Sequence, residues 1–551
     1  MLCGGGLGPP YGRDAMDTDD PNAYGASWYS ATRVAGPARA RLTVELDVDV
    51  CVVGAGLAGL AVAREVARRG WSVVVLEAQG VAWSASGRNT GVVLPGFAVA
   101  ASPLVARVGL DHAKALWARS EAGAEYVRSA AREMEGVTLS EGGWLHVSTT
   151  DDPAAMASEA ALLVGEFGAA VEPWPADRVR EALRSPHYFH ALHFPRGFSL
   201  NPLNYALGLA AAAEAVGARI FEDTPVAGID PAGVRKRVVT RQSRVRAGHV
   251  VLAGNVHLPG LMPQFSSTLT PIFSTVIATA PLGGELQDAI RFPGAVSDTG
   301  SPGQHYRVVE GQRLMWSGRS SVWLGNPRRQ ANALMRQVRR VYPQLGGAKA
   351  EYAWTGATGR TVHGMPQIGE ISPGLWLLSG FGGHGLNTTA MGGEMVARAI
   401  VEGDTDWKMF SPFALVWAGG AAGRAAQQVS GWAQRAGERL QGLLARRRDA
   451  RRRRAEAAKA AAVASPPVVP EAPPQISEPV EQPVAVAAEP GPVAVTSAAV
   501  LPEVTFGPAA VAAPAAPDVP AEPVKPKRKR GKKRQREAGA PEAVPGDKPN
   551  D

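Results

Sequence analysis

Val52-Val53-Gly54-Ala55-Gly56-Leu57-Ala58-Gly59, followed by Ala63 and Glu77, is the stretch on which the fold turns. Val48–Val53 is apolar apart from Asp49, as a parallel strand covered on both faces should be. Gly54 permits a tight turn out of that strand, and Gly56 lets backbone approach a pyrophosphate. Gly59 and Ala63 let the next helix pack close to the sheet. Leu57 and Ala58 open that helix, whose free N–H groups and positive dipole end suit phosphate. Leu60–Arg69 carries the helix on, Gly70 stops it, and Ser72–Leu76 reads as a second buried strand. Glu77, with Ala78 after it, ends that strand where a carboxylate can accept hydrogen bonds from ribose hydroxyls. Strand, glycine turn, helix and distant acid together form a dinucleotide fingerprint of Rossmann type. It does not separate FAD from NAD.

Further along, residues 107–134 read as helical, with Leu110, Ala113, Leu116, Trp117, Ala124 and Val127 on one face. Gly143–Ser148 reads as a strand, Asn201–Val216 as a helix, and Arg219–Phe221, Val226–Ile229 and Val250–Ala253 as short strands. Residues 270–325 alternate like an antiparallel sheet, with turns at Gly283-Gly284, Ser301-Pro302-Gly303 and Glu310-Gly311. Gly374–Ser379 is a strand running into a glycine-rich turn and a helix over His384–Val401. The fold class is therefore α/β: a Rossmann-like domain with an α+β domain built on an antiparallel sheet.

The two ends differ from the middle. Residues 1–40 read as an irregular arm, and Met16 is a second candidate initiator. Ala421–Lys459 is helix-prone, with Val429, Trp432, Ala436, Leu440 and Leu444 at helical spacing. From Val463 on, Pro, Ala, Val and Glu dominate, a composition expected to stay disordered. The net charge of +8 is concentrated there: Arg446–Arg454 holds seven arginines and one aspartate, and Lys525–Arg536 nine basic residues. Together they carry +15, leaving −7 for the rest, so the basicity says nothing about an active site. The amphipathic segment over 416–460 packs on the catalytic body or meets an anionic surface. Two cysteines, Cys3 and Cys51, support neither a disulfide framework nor a thiolate metal cluster, and no metal site is expected. No apolar run is long enough to span a bilayer and no signal peptide is legible, so the cytoplasm is the expected location.

Trp83-Ser84-Ala85-Ser86-Gly87-Arg88-Asn89-Thr90-Gly91 follows the fingerprint. Ser86, Gly87, Arg88, Asn89 and Gly91 form a small, polar stretch whose backbone can lie flat against an isoalloxazine ring. This stretch resembles the flavin-contacting segment of D-amino-acid-oxidase-like FAD oxidoreductases, and most of all the gamma-glutamylputrescine oxidoreductase group. Ser27–Thr32 is similar to that group's lead-in. Val250–Asn255, with Ala253 and Gly254, is similar to its second FAD-domain strand, and Gly380–Asn387 to its late flavin turn. The resemblance covers about residues 25–440. It implies FAD, a substrate sheet roofing the flavin, and oxidation of a small amine or amino acid with O2 or another electron acceptor. It divides the chain into an arm (1–40), an oxidoreductase region (41–415), a basic helix (416–460) and a tail (461–551). The FAD domain would come from about 47–100, 195–260 and 355–410, and the substrate domain from 101–194 and 261–354. Val226 joins the cofactor-binding set.

Amine oxidation by a flavin asks the protein mainly to orient. Gly382, Gly383, His384, Gly385 and Leu386 open a helix whose N-terminus can stabilise charge at the flavin N1/O2 locus, and Asn387 can add a donor. His384 is the first candidate beside the ring. Tyr306, Arg307 and Arg319 lie on the roofing sheet, where the resemblance implies a carboxylate clamp. Adjacent strand residues face opposite ways, so Tyr306 and Arg307 cannot both face the flavin without a bulge, and Tyr306 is preferred. His305 and Trp316 are candidate pocket walls. Trp354, Thr358, Arg360 and His363–Pro366 are expected near the flavin's other edge. The FAD should be non-covalent: Ser84 stands after Trp83, where related flavoproteins sometimes place a tethering histidine, and no cysteine follows Cys51. Two other readings remain: a flavoenzyme acting on a modified RNA base, and an interaction protein with a structural flavin. The basic clusters lie outside the catalytic region, no methyltransferase-like domain is present and the fingerprint is intact. No specific nucleic-acid partner is expected.

Overall fold

A computed structural model describes residues 26–426 apart from 259, 301, 302 and 421, together with 429. They fall in the first of two units into which the chain divides, Met1–Ser465. The second unit, most of the basic helix and the first 25 residues lie outside the described residues.

The fingerprint strand Leu46–Val53 is central to an eight-stranded sheet, pairing in parallel with Val73–Leu76 on one side and Arg244–Leu252 on the other. Arg219–Phe221 extends the sheet beyond Val73–Leu76, Leu375–Ser379 lies beyond Arg244–Leu252, and Gln367–Ser372 closes that edge antiparallel. The Val/Leu-rich central strands are buried on both faces, which is why they lack alternation. One face carries the helices Leu57–Arg68 and Gly385–Glu402, with Leu110–Arg132 packed on the latter.

The second eight-stranded sheet runs Ala350–Arg360, Thr270–Thr279, Arg313–Ser321, His305–Val309, Ala295–Asp298, Trp144–Val147, Ala191–Phe194, Glu172–Trp174. Its neighbours are antiparallel except Ala295–Asp298 against Trp144–Val147, which is parallel. One face joins the core of the first half through Val276, Ala278, Val309, Met315 and Trp354. The other buries Ile277, Tyr306, Leu314 and Trp316 against the helix Pro327–Val341.

Four expectations change. The helical stretch 107–134 is two helices, Ala101–Val108 and Leu110–Arg132, broken at Gly109 (φ +82°). Ala113, Leu116 and Val127 bury in the same core as the fingerprint helix, while Trp117 packs with Leu192 of the second sheet, so Leu110–Arg132 serves both halves rather than the substrate domain alone. The strand Ala350–Arg360 straddles the expected boundary at 355 and belongs wholly to the antiparallel sheet. The arm is not irregular throughout. Ser27 caps a short helical turn, Trp28–Ala31, with a reciprocal Ser30 bond, and Trp28 and Tyr29 are buried.

Candidate cofactor and substrate site

The candidate phosphate end lies where the two innermost strands stop. Gly54 turns at φ +108°, and a Cβ there would stand 3.0 Å from the Ala253 carbonyl oxygen. At Gly59 a Cβ would come within 2.0 Å of the Gly54 oxygen, so helix and turn touch only because both lack side chains. At Gly56 it would meet Ser86 Oγ at 2.9 Å, and Leu57 N–H donates to that oxygen at 3.0 Å. The fingerprint and the Ser86 segment are thereby joined. Gly56, the cap residue, has no side chain to bond the helix N–H groups, and N–H groups at such a glycine approach suit a pyrophosphate. Glu77 Oε2 accepts from Ala55 N–H and Oε1 from Gln79 N–H, fixing the carboxylate beside the turn. Burial raises its pKa, partly offset by those N–H groups. Ala78 follows it, and Thr224 N–H bonds the Glu77 carbonyl just before the strand that Val226 opens. Ala253 N–H bonds Val53, which places Ala253 and Gly254 against the turn.

The ring end is equally fixed. Asn89 clasps its own segment: its amide donates to Ala85 and Ser86 carbonyls and its oxygen accepts from Gly91 N–H. Arg88 turns back, donating to Trp83 O at 2.7 Å, and burial lowers its pKa to about 10. Trp354 Nε1–H donates to Arg88 O at 3.0 Å, so the strand expected near the flavin's other edge holds this segment. Gly87 and Gly91 are packed where a Cβ would strike the Ala82 and Leu200 carbonyls. Across from them the turn Gly380–His384 enters the last helix, with Gly380 and Gly382 at positive φ and Leu386 buried. At Gly383 and Gly385 a Cβ would meet open space. His384 is the cap residue and makes no side-chain cap bond; burial, then the nearby His305, lowers its pKa to about 4.

Tyr306 does not face this site. Its ring stacks on Trp316, its hydroxyl pairs with Tyr342 at 2.8 Å, and both rings lie in the helix-side core. Trp316 is thus no pocket wall. Arg307 faces the dinucleotide half, but as a rivet: it donates to Thr90 O, Leu200 O, Ser199 Oγ and Tyr29 Oη. Its Nε, Nη1 and Nη2 are all engaged in holding the two halves together, so a substrate clamp is not its geometry. Asn387 is also reassigned, since its buried amide donates to the Gly96 and Ser120 carbonyls. Arg319 has its backbone paired with Thr275, and its side chain lies outside what is described.

His305 does face the site. It shares the sheet face of Arg307, is itself exposed, and lies near His384 at the helix entry. Register places His146, Ser297, His305 and Ser317 in one row across four strands. Sequence reading missed His146, Ser297 and Ser317, although Trp144–Val147 alternates and so presents His146 on a definite face. It also missed Tyr29, whose hydroxyl donates to Met315 Sδ, and His257, whose Nε2 lies 2.9 Å from Ser84 Oγ. Among the described residues no helix is long and apolar enough to cross a membrane, and no group of three or more His, Cys, Asp or Glu could hold a metal.

The family model described as FAD dependent oxidoreductase matches residues 49–399. The Haemophilus influenzae protein "Probable oxidoreductase OrdL" is 31% identical over 379 residues, covering 67% of this chain and 86% of that one. The Escherichia coli gamma-glutamylputrescine oxidoreductase is 29% identical over 387 residues, 69% and 90% of the respective chains. Among solved structures, Geobacillus kaustophilus glycine oxidase superposes with a TM-score of 0.56 at 21% identity, covering 67% of this chain and 99% of that one. The likeness to that structure is one of fold.

Proposed function

Since the chain belongs to the DAO family of FAD-dependent oxidoreductases, we propose that it oxidises the C–N bond of a small amine or amino acid to an imine, which water then hydrolyses. What supports this reading is that the polar sheet row through His305 comes close to His384 at the Gly383–Gly385 helix entry; with the Ser86–Gly91 segment these are the walls of one proposed chamber. FAD, when bound, supplies the two-electron acceptor. The residues that would hold it are Gly54–Gly59, Glu77, Ala78, Val226, Ala253 and Gly254 at the nucleotide end, with Ser86–Gly91 and Gly382–Leu386 at the ring.

This chain's own part is orientation and charge. The N-terminus of Gly385–Glu402 brings a positive dipole end to where negative charge accumulates on reduction. Neutral His384 adds a hydrogen-bonding group there without adding a second charge. The sheet row lays the substrate against the opposite wall and keeps bulk water from it. O2 or another acceptor returns the enzyme to its oxidised state, and the cluster Arg446–Arg454 suits an anionic surface as a docking partner.

Product analysis tests the reading. Turnover of an amine should release a carbonyl compound together with ammonia or the shortened amine in equal amounts. Substrate oxidation that releases no nitrogen would overturn it.

A further inference from the structure

An amine arrives at neutral pH as its ammonium, with the nitrogen lone pair tied up in an N–H bond. Hydride can leave the neighbouring carbon only after that lone pair is free to push. The chamber therefore needs a proton acceptor next to the reacting nitrogen, a requirement that rests on the amine-oxidation reading above.

We propose that His305 is that acceptor. Its strand, His305–Val309, alternates so that His305 and Arg307 share the face turned to the dinucleotide half. Arg307 is consumed by protein acceptors, so on this strand His305 is the group presented to the chamber. Its cross-strand neighbours are Ser297 and Ser317, both buried, and neither hydroxyl can itself hold a proton as a cation.

Two other imidazoles face it. His146, on Trp144–Val147, is tied through Nδ1 to Ser297 Oγ at 2.9 Å and lies one strand further back. His384 sits at the N-terminus of the last helix, where the dipole opposes a positive charge. Of the three, His305 has the exposed ring. Burial lowers the pKa of all three histidines, and their mutual proximity lowers those of His146 and His384 further. Burial thus disfavours the imidazolium form in the row and leaves ring lone pairs to offer.

The step balances simply. The ammonium N–H bond breaks and leaves its electron pair on nitrogen. An N–H bond forms on the His305 ring, and the single positive charge passes from substrate to imidazolium. A site that disfavours imidazolium then returns the proton to solvent when the product leaves.

The test is the rate of anaerobic flavin bleaching in the full-length holoenzyme, measured across pH at saturating amine, for wild type, His305→Gln and His305→Ala. FAD content is read from the absorbance of each. Both variants should bleach about 10²-fold more slowly near neutral pH. Raising the pH toward the amine's own pKa should restore both, and free imidazole should restore His305→Ala. The amine concentration for half-maximal rate should change much less than the rate. His305→Gln, close in shape, keeps the test decisive where His305→Ala loses FAD. Variants that bleach at the wild-type rate, or slow variants with bound FAD that neither pH nor imidazole rescues, would overturn the assignment. A wild-type flavin that no amine bleaches would overturn the amine reading and the proton acceptor with it. Bleaching indifferent to His305 overturns the proton acceptor alone.

Discussion

Tyr306 and Arg307 show how far single residues can be read from sequence. Strand alternation separates them onto opposite faces, and that much follows from the chain alone. Which face meets the cofactor does not, because it depends on the side of the sheet that the dinucleotide half covers. Tyr306→Phe should remove one hydroxyl pair, cost about 1 kcal/mol in denaturant unfolding, and leave flavin reduction unchanged. A large loss of flavin reduction without loss of stability would restore Tyr306 to the site. Arg307→Met should cost more, on the order of 3 kcal/mol, because several carbonyl acceptors lose their donor in a buried place. Gly54 and Gly59 of the fingerprint were legible: their roles are backbone clearances that a side chain would close. Gly59→Ala presses a methyl onto the Gly54 carbonyl, so it should lower FAD occupancy of the purified protein severalfold. Non-covalent attachment remains an expectation; His257, whose Nε2 lies 2.9 Å from Ser84 Oγ, is the histidine the structure brings to that segment. Acid precipitation should leave the yellow colour in the supernatant; colour in the pellet would direct attention first to His257.

Among elements, most strands were legible, the three-residue Arg219–Phe221 included, whereas a long helix was read through its break at Gly109 and the turn in the arm went unseen. Helical character after the glycine turn identifies Leu57–Arg68, and an apolar run before a glycine-rich turn identifies Leu375–Ser379. Trp28–Ala31 has four residues, too few to show a period, and its burial depends on residues some 280 positions away such as Met315. Trp28 packs edge-on against Tyr352 with Arg313 over its ring. Trp28→Ala should therefore cost roughly 3 kcal/mol in stability; a cost near zero would mean the arm is ornamental. The loop after Ala295–Asp298 is held differently. Buried Asp298 accepts from Gly300 and Gln304 N–H groups, and burial pushes its pKa up to about 6. A carboxyl raised in the folded state stabilises below its unfolded value and loses that contribution as pH rises through 6. Asp298→Asn should thus gain on wild type between pH 4 and 8, by at most about 3 kcal/mol. Melting curves at the two pH values give that difference directly. A constant offset would show that the carboxyl does not titrate where its burial places it.

At the scale of the molecule, a dinucleotide half and a roofing sheet were both legible, the first from its fingerprint and the second from alternation over 270–325. Their seam was less so. The Ala350–Arg360 strand and the Leu110–Arg132 helix lie across the expected division, because partner choice is settled by packing rather than by order along the chain. The basic C-terminal region has no part in the chamber's chemistry on this account, and removing residues 445–551 should leave amine turnover within about twofold. Salt-sensitive binding to anionic vesicles should be lost with it. Both expectations depend on the chamber being the place of chemistry. The most direct measurement is anaerobic titration of the purified yellow protein with an amine, followed by its absorbance. The flavin should bleach in proportion to the amine added and should not bleach with NADH. A flavin that stays oxidised through the amine series, or one that NADH reduces instead, would contradict the account.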